Sequence, residues 1–244
     1  MLDRATTLDV LRDGEIEIIG RIVGSSNNAM LVTVTRPCPD PEPALRLEAV
    51  YKPTAGERPL SDFPDGTLAR REVAAWHVSE AIGWGIVPPT VLRDGPFGEG
   101  MVQSFVDADP TVDVVVMVLE DDPRLRRMAV LDAVMNNTDR KGGHILAVDG
   151  GRHVHGVDHG VCFSTVPKLR TVLWGWRGEP LEADELEGLR RLRTALEGDL
   201  GATLRTLLSR MEVRATVRRV DELLASGRYP FPSPTWPAVP WPPF

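Results

Sequence analysis

The stretch NNTDRKGGHILAVDGGRHVHGVDHG, residues 136–160, predicts a short hairpin with an aspartate at each end. HILAV and RHVHGV are typical of short strands, and the Asp149-Gly150 pair between them is a strong tight-turn signal. Such a hairpin brings Asp139, before its first strand, close to Asp158, after its second. Two carboxylates held together suit phosphoryl transfer, in which one orients the attacking hydroxyl and the other holds a magnesium ion that bridges ATP phosphates.

Two features beside the aspartates favour this interpretation over a solvated acidic turn, which is common on protein surfaces. Lys141 lies two residues after Asp139, where an ammonium group can neutralise charge on a transferring phosphoryl group. The Gly142-Gly143 pair next to His144 gives the backbone a freedom that an ordinary turn does not need. Asp139 and Lys141 are therefore the candidate catalytic residues.

Residues 1–106 predict a small sheet with one long helix. The segments EIEIIGRIVG, MLVTVT and RLEAVYKP alternate along the chain with the period of a strand. TLARREVAAWHVSEAIG has helical spacing, with Gly83 as its C-cap, and two further strands are predicted around RDGPFGEG. The predicted order in this N-lobe is β-β-β-α-β-β.

Candidate nucleotide ligands occur in the same lobe. Lys52 ends the third strand and can pair with nucleotide phosphates, while Glu72, twenty residues later in the helix, can hold that lysine. Upstream, GRIVGSSNN offers backbone N–H groups that can cradle phosphates, at Gly24, Ser25, Ser26 and Asn27. Each signal is weak alone, because a strand lysine is usually a surface residue and this loop is also a plausible hairpin turn. The prediction of a kinase-like site depends on the order of these signals along the chain: loop, strand lysine and helix glutamate, followed by the two aspartates.

The remaining residues predict a mainly helical C-lobe, 107–228, and a tail, 229–244. Helices are predicted in DPRLRRMAVLDAVMNN, ADELEGLRRLRTALEG and TVRRVDELLASG. The tail YPFPSPTWPAVPWPPF has seven prolines, which exclude a helix or a central strand. It is either disordered or, because it contains two Trp and two Phe, packed on the domain or on a partner.

Composition excludes several classes of protein. The chain has 244 residues, 42% hydrophobic and 26% charged, as in ordinary globular proteins. A formal charge of −7 argues against non-specific binding to nucleic acid or to acidic membranes. We find no apolar run of about 18 residues and no basic-then-apolar signal peptide. Cys38 and Cys162 lack metal-ligand spacing and are too few for a disulfide scaffold. A reduced, cytoplasmic protein without nucleic-acid or membrane partners is expected.

The two aspartate loops resemble those of the phosphatidylinositol 3-/4-kinase-like branch of the kinase superfamily. NNTDRKGGH is similar to the N-T-D-R catalytic loop of that branch and GVDHGVCFS to its I-D-N-G-L-A-F metal loop. The similarity is closest to type II phosphatidylinositol 4-kinases and to an actinobacterial phosphatidylinositol-kinase-like family, and it extends roughly from Gly20 to Val220. It implies a two-lobed, protein-kinase-like α+β fold that binds ATP and Mg²⁺ or Mn²⁺ between the lobes.

The resemblance also implies roles for residues. Asp139 matches the catalytic aspartate and Asp158 the magnesium-binding aspartate. Lys52 matches the nucleotide-binding lysine, with Glu72 as its helix partner and Glu80 as the alternative. The segment QSFV matches the hinge beside adenine, and its candidate contacts are Gln103, Phe105 and Val106.

His144 departs from the family pattern, which has Asn as a second magnesium ligand five residues after the catalytic aspartate. Imidazole suits softer ions such as manganese better than magnesium. Either the metal preference is shifted, with His144 as a ligand, or Asp158 alone holds the ion.

Four functions are consistent with this pattern. The first is an ATP-dependent phosphotransferase acting on a protein or small-molecule hydroxyl, and the second is a pseudokinase that binds nucleotide without turnover. Phosphoinositide kinase is a third, although Lys168, Arg170 and Arg177 after the metal loop form a thin basic cluster for a membrane lipid. Nucleotidyl transfer to a protein is a fourth.

Overall fold

The computed structural model describes residues 2–23, 28–39 and 43–244. Its seven strands and seven helices in the described residues follow one another in chain order: α1 (Arg4–Asp13), β1 (Glu15–Arg21), β2 (Met30–Arg36), β3 (Leu45–Pro53), α2 (Leu68–Ile82), β4 (Thr90–Gly95), β5 (Gly98–Ser104), α3 (Val114–Leu119), α4 (Arg126–Met135), β6 (Ile145–Val148), β7 (His153–Gly156), α5 (Ala183–Glu197), α6 (Asp199–Leu207) and α7 (Arg210–Ser226). The predicted β-β-β-α-β-β order is present, preceded by a helix, α1, that the sequence analysis does not predict.

The N-lobe is an antiparallel sheet in the order β1-β2-β3-β5-β4. Successive side chains of a strand point to opposite faces, so Ala49 and Tyr51 of β3 lie in the fully buried cluster with Val10 and Leu11 of α1. Lys52 therefore lies on the other face of β3, the face that meets α2.

Helix α2 packs on the sheet and also on α5 and α6 of the C-lobe. It ends at Gly83, whose φ of 83° is the left-handed conformation that glycine adopts at helix C-termini. Two charged residues in its first two turns, Arg71 and Glu72, are almost fully buried. Such burial requires partners, and both residues find them across the lobe boundary.

The C-lobe surrounds one large apolar core to which α4, α5 and α7 contribute. The predicted hairpin is β6–β7, with Ile145 opposite Gly156 and Val148 opposite His153. The tail packs on this lobe, with Tyr229 buried in the core. No helix in residues 2–23, 28–39 and 43–244 is long and apolar enough to cross a membrane.

Candidate active site

Three charged side chains from three elements meet between the lobes. Lys52 Nζ at the end of β3 lies 2.7 Å from Glu72 Oε1 on α2 and 2.9 Å from Asp158 Oδ1. The other oxygen of Glu72, Oε2, accepts a hydrogen bond from the backbone N–H of His159 at 2.8 Å. Glu80, the alternative helix partner, pairs instead with Arg4. The structure thus places Lys52, Glu72 and Asp158 together.

Lys52 and Asp158 stabilise each other's charge in this cluster. Burial lowers the pKa of Lys52, but Asp158 and Glu72 outweigh burial and raise that pKa above its ordinary value. The Lys52 ammonium group holds the pKa of Asp158 well below its usual range, against the effect of burial. Burial raises the pKa of Glu72, which lies near the negative charge of Asp158 as well as near Lys52. Lys52 is therefore a fixed cation and Asp158 a fixed anion at neutral pH.

Asp158 also has an unusual backbone. Its φ of 61° is left-handed, a conformation that non-glycine residues adopt rarely. Phe163, five residues later, has a φ of 70°. Strained residues of this kind persist where the surrounding structure over-determines them, and they cluster at functional sites. The observation supports Asp158 as a positioned ligand.

Asp139 lies on the catalytic loop, defined here as residues 136–144, opposite the lysine cluster. Its backbone N–H donates to Asn137 Oδ1 at 3.0 Å, which orients the start of the loop. Its carboxylate lies 3.2 Å from Lys141 Nζ, and the two side chains remain 33% and 25% exposed. The Asp139 carboxylate can therefore be reached by a substrate hydroxyl group, and the Lys141 ammonium group lies beside it.

The loop is held from within by a buried guanidinium group. Arg140, with no exposed surface, donates to both carboxylate oxygens of Asp132 at 2.9 Å. It also donates to the carbonyl oxygens of His144 and Val157, each at 3.0 Å, and lies 2.7 Å from His159 Nε2. One side chain therefore ties both ends of the β6–β7 hairpin to α4.

Arg140 and Asp132 are the site residues that sequence reasoning missed. Arg140 is part of the quoted N-T-D-R pattern, but nothing in the pattern says that it points inward. Asp132 interrupts the apolar sequence AVLDAVM of α4, and a lone carboxylate on a buried helix needs a cationic partner. That interruption was the available signal.

His144 lies beside Asp158, with Nε2 at 3.3 Å from Asp158 Oδ2. Two ligands at adjacent corners of an octahedral ion with bonds of about 2.1 Å lie about 3.0 Å apart, close to the observed separation. Ligation through Nε2 would leave the ring proton on His144 Nδ1, which is buried without a hydrogen-bond partner in the described residues. Burial lowers the pKa of His144, which favours the neutral ring that a metal needs. These residues fit a divalent ion.

Two protein ligands leave most of an ion's coordination positions open. In residues 2–23, 28–39 and 43–244, no group of three or more His, Cys, Asp and Glu side chains is arranged to hold a metal. Magnesium and manganese commonly complete their coordination with substrate phosphates and water. The arrangement therefore suits an ion that arrives with a nucleotide.

The cluster opens onto a cavity of about 390 Å³ between the lobes, within the range of small-molecule sites. Its walls include the hinge residues Gln103, Phe105 and Val106. The Gln103 side chain donates to Thr90 Oγ1 at 2.8 Å. The candidate phosphate loop, Gly24, Ser25, Ser26 and Asn27, lies outside the described residues.

A relative covers almost the whole chain. The sequence is 43% identical over 272 residues to Protein Rv2133c of Mycobacterium tuberculosis, an alignment that covers 96% of this chain and 94% of that protein. This chain belongs to the Rv2133c family. No model of a described protein family matches the sequence.

Two solved structures relate this Rv2133c family member to a wider fold. The crystal structure of the Helicobacter pylori proinflammatory kinase CtkA matches with a TM-score of 0.53 and 14% identity, over 90% of this chain and 94% of that one. The structure of hydra Fam20 with sugar matches with a TM-score of 0.52 and 12% identity, over 91% and 87%. At such identities the likeness shows the fold, and the predicted two-lobed, kinase-like α+β fold is confirmed.

Proposed function

We propose that this protein is an ATP-dependent phosphotransferase that moves the γ-phosphate to a hydroxyl group of a protein or a small molecule. The observation that carries the proposal is the placement of Lys52 between Glu72 and Asp158 at 2.7 and 2.9 Å, facing the accessible Asp139 across one cavity. A fixed cation for phosphates, an anion for a metal and a separate carboxylate for the acceptor are the parts that phosphoryl transfer needs.

Each residue has a separate task in this proposal. Lys52 holds the nucleotide phosphates, and Glu72 holds Lys52. Asp139 accepts the hydroxyl proton as the acceptor oxygen bonds to the γ-phosphorus and the bond from that phosphorus to the ADP oxygen breaks. Lys141, 3.2 Å from Asp139, lies where its charge offsets that of the transferring group.

A divalent ion, when bound by Asp158 and His144, would neutralise charge on the phosphates. Because imidazole favours softer ions, manganese is the preferred ion in this proposal and magnesium the alternative.

The acceptor is proposed as a protein or small molecule rather than an inositol lipid. Of the basic residues after the metal loop, Lys168 pairs with Asp62 and Arg177 bonds to the Trp174 carbonyl oxygen. One of the three cations of this cluster is therefore already ion-paired, and the cluster is thin beside the dense basic groups that bind anionic headgroups at a membrane. Phosphoinositide kinase and pseudokinase remain the rival proposals, and a cytoplasmic location stays a prediction.

Two substitutions separate nucleotide binding from transfer. We expect Lys52→Ala to weaken ATP binding about tenfold or more, through loss of a charge-assisted contact. We expect Asp139→Ala to keep ATP affinity and to lower kcat at least about 100-fold, because Asp139 acts on the acceptor. Asp184→Ala, which removes an exposed carboxylate paired with Arg127 on the surface, is the matched control. Calorimetric titration with a non-hydrolysable ATP analogue and transfer of γ-label measure the two effects.

The rival functions are distinguished by the label and the acceptor. Transfer of γ-label to dephosphorylated casein or to the protein itself supports the proposal, and transfer only to phosphatidylinositol vesicles supports a lipid kinase. Label from α-labelled ATP on protein indicates nucleotidyl transfer. Nucleotide binding without any transfer, with either magnesium or manganese, indicates a pseudokinase. Equal loss of ATP affinity in Lys52→Ala and Asp139→Ala contradicts the assigned roles.

A further inference from the structure

The C-terminal tail, residues 229–244, runs along the C-lobe and ends beside the catalytic loop. We propose that this tail is a positioning element of the active site, which holds the catalytic loop in place from the outside while Arg140 holds it from the inside. Its effect on turnover rests on the proposed function, whereas its effect on the loop does not.

The end of the tail contacts the catalytic loop directly. The backbone N–H of Gly142 donates to the carbonyl oxygen of Pro243 at 2.8 Å. The ring of Phe244 lies on the Cα of Gly142 so closely that a Cβ atom at residue 142 would overlap it. Gly142 follows Lys141 and lies three residues after Asp139, so this contact fastens the backbone of both candidate catalytic side chains.

The middle of the tail fastens the same loop through one intervening segment. The Ala238 carbonyl oxygen accepts from the Thr171 N–H at 3.0 Å and from Trp174 Nε1 at 2.8 Å. On its other side this segment pairs with Arg140. The Arg140 N–H donates to Arg170 O, and the Val172 N–H donates to Arg140 O, both at 3.1 Å. The intervening segment, residues 170–174, is thus hydrogen-bonded to the tail on one side and to the catalytic loop on the other.

The tail is suited to this task because it is stiff and anchored. Its seven prolines restrict the backbone, so little conformational entropy is lost when it docks. At its start, Tyr229 is buried and exchanges backbone hydrogen bonds with Gly178 and Glu179, at 2.9 and 3.0 Å. Further on, Lys168 Nζ lies 4.2 Å from the ring centre of Trp236. A stiff segment with a fixed start delivers Pro243 and Phe244 to a defined place.

The catalytic loop needs an outer support. Its inner side is held by the buried Arg140, but Asp139 and Lys141 lie at the surface and are followed by two glycines. Glycine pairs leave a backbone free to move. Displacement of a catalytic group by about 1 Å can cost about 100-fold in rate, so a contact that limits the loop has a direct effect on turnover.

Removal of the outer contacts should separate turnover from nucleotide binding. We expect a chain that ends at Pro234, which keeps Tyr229 and loses Ala238, Pro243 and Phe244, to show kcat on dephosphorylated casein lowered about 10- to 100-fold. KM for ATP should stay within about twofold. A synthetic peptide of residues 235–244, added in excess, should restore part of the lost kcat. A tail that blocked the acceptor would give the opposite result, a higher kcat after truncation, and would overturn the proposal.

A point variant tests the same contact with little risk to folding. Phe244→Ala removes the ring on Gly142, whereas Trp241→Ala removes a tail ring that is 85% exposed. We expect the first to lower kcat and the second to leave it unchanged. Equal effects of the two variants would show that general tail packing, and not the contact with Gly142, is responsible.

Hydrogen exchange tests the loop without reference to activity. In the full chain the amides of Gly142 and Thr171 donate to the tail, and in the truncated chain we expect both to exchange at least about tenfold faster. Amides in the N-lobe sheet should not change. Faster exchange with no detectable transfer in either chain would support the tail's role and contradict the proposed function. Unchanged exchange at Gly142 and Thr171 would overturn the tail's role itself.

Discussion

His144 has one ring nitrogen beside a carboxylate and the other without a partner. Nε2 lies 3.3 Å from Asp158 Oδ2, and Nδ1 is buried with no hydrogen bond in the described residues. Two roles fit this position of the ring. In one, His144 only donates a hydrogen bond to Asp158; in the other, it is a ligand of an ion that Asp158 also binds. The choice of metal distinguishes them, because imidazole nitrogen favours manganese over magnesium more than an amide oxygen does.

We expect the wild-type protein to use manganese better than magnesium, and His144→Asn to raise magnesium-supported transfer relative to manganese-supported transfer. Binding of Mn²⁺ with a non-hydrolysable ATP analogue, followed by electron paramagnetic resonance, should weaken about tenfold in the variant, a typical loss on changing a metal's surroundings. His153→Asn, in the β6–β7 hairpin, is the control. An unchanged metal preference in His144→Asn would show that the ring serves only as a hydrogen-bond donor to Asp158.

His159 is a second single residue whose surroundings have a consequence, here for stability at low pH. Arg140 Nη2 lies 2.7 Å from His159 Nε2, and a guanidinium group can only donate, so the ring nitrogen must accept. Burial, and then the charge of Arg140, hold the pKa of His159 well below its ordinary value of 6.5, against the attraction of Asp158. His144 and Lys52 add repulsion. The folded protein therefore keeps this ring neutral where the unfolded chain protonates it.

Below about pH 6.5 the unfolded chain binds a proton at His159 that the folded chain does not. Stability is thus full above that pH and is lost as the pH falls towards the depressed pKa. We expect the melting temperature to drop by several degrees between pH 7.5 and pH 5.5 and to drop less in His159→Asn, which cannot be protonated. An identical pH dependence in His159→Asn and wild type would show that His159 does not limit acid stability.

At the scale of elements, local signals were the predictable part. The β6–β7 hairpin follows from its turn, where Asp149 and Gly150 take φ values of 54° and 67°, as that residue pair favours. Helix α2 follows from its spacing and its glycine cap. Helix α1 does not, because its two buried apolar residues, Val10 and Leu11, are too few to produce a clear helical pattern in a polar segment.

Long-range contacts were the unpredictable part of the site. The order of Lys52, Glu72, Asp139 and Asp158 along the chain indicated a cleft, since each lies at the end or on the face of a predicted element. The inward direction of Arg140 depends on a helix that precedes it and a hairpin that follows it. The tail illustrates the same limit: its aromatic residues indicated packing, but its seat on Gly142 depends on the whole C-lobe.

At the scale of the molecule, α2 joins the nucleotide cluster to the C-lobe through two neighbouring residues. Glu72 bonds to Lys52 and to the His159 N–H, while Arg71 Nη2 lies 2.5 Å from Glu212 Oε1 on α7. Arg71 also donates to the Cys162 carbonyl oxygen at 2.8 Å. One helix therefore links the two lobes through these contacts, and the position of Glu72 depends on the partners of Arg71.

The final prediction tests this coupling with adjacent residues of one helix. Arg71→Met leaves Glu212 without its partner in a buried place and should lower the free energy of unfolding by about 3–5 kcal/mol. Arg70→Met, which removes an exposed pair with Glu99 at 3.1 Å, should cost less than about 1 kcal/mol. The double variant Arg71→Met/Glu212→Gln should recover part of the loss, because no buried charge is then unpaired. Urea unfolding measures all three. Since α2 also carries Glu72, ATP affinity should fall in Arg71→Met and not in Arg70→Met. Equal stability and equal ATP affinity of the two single variants would show that α2 is held by apolar packing alone.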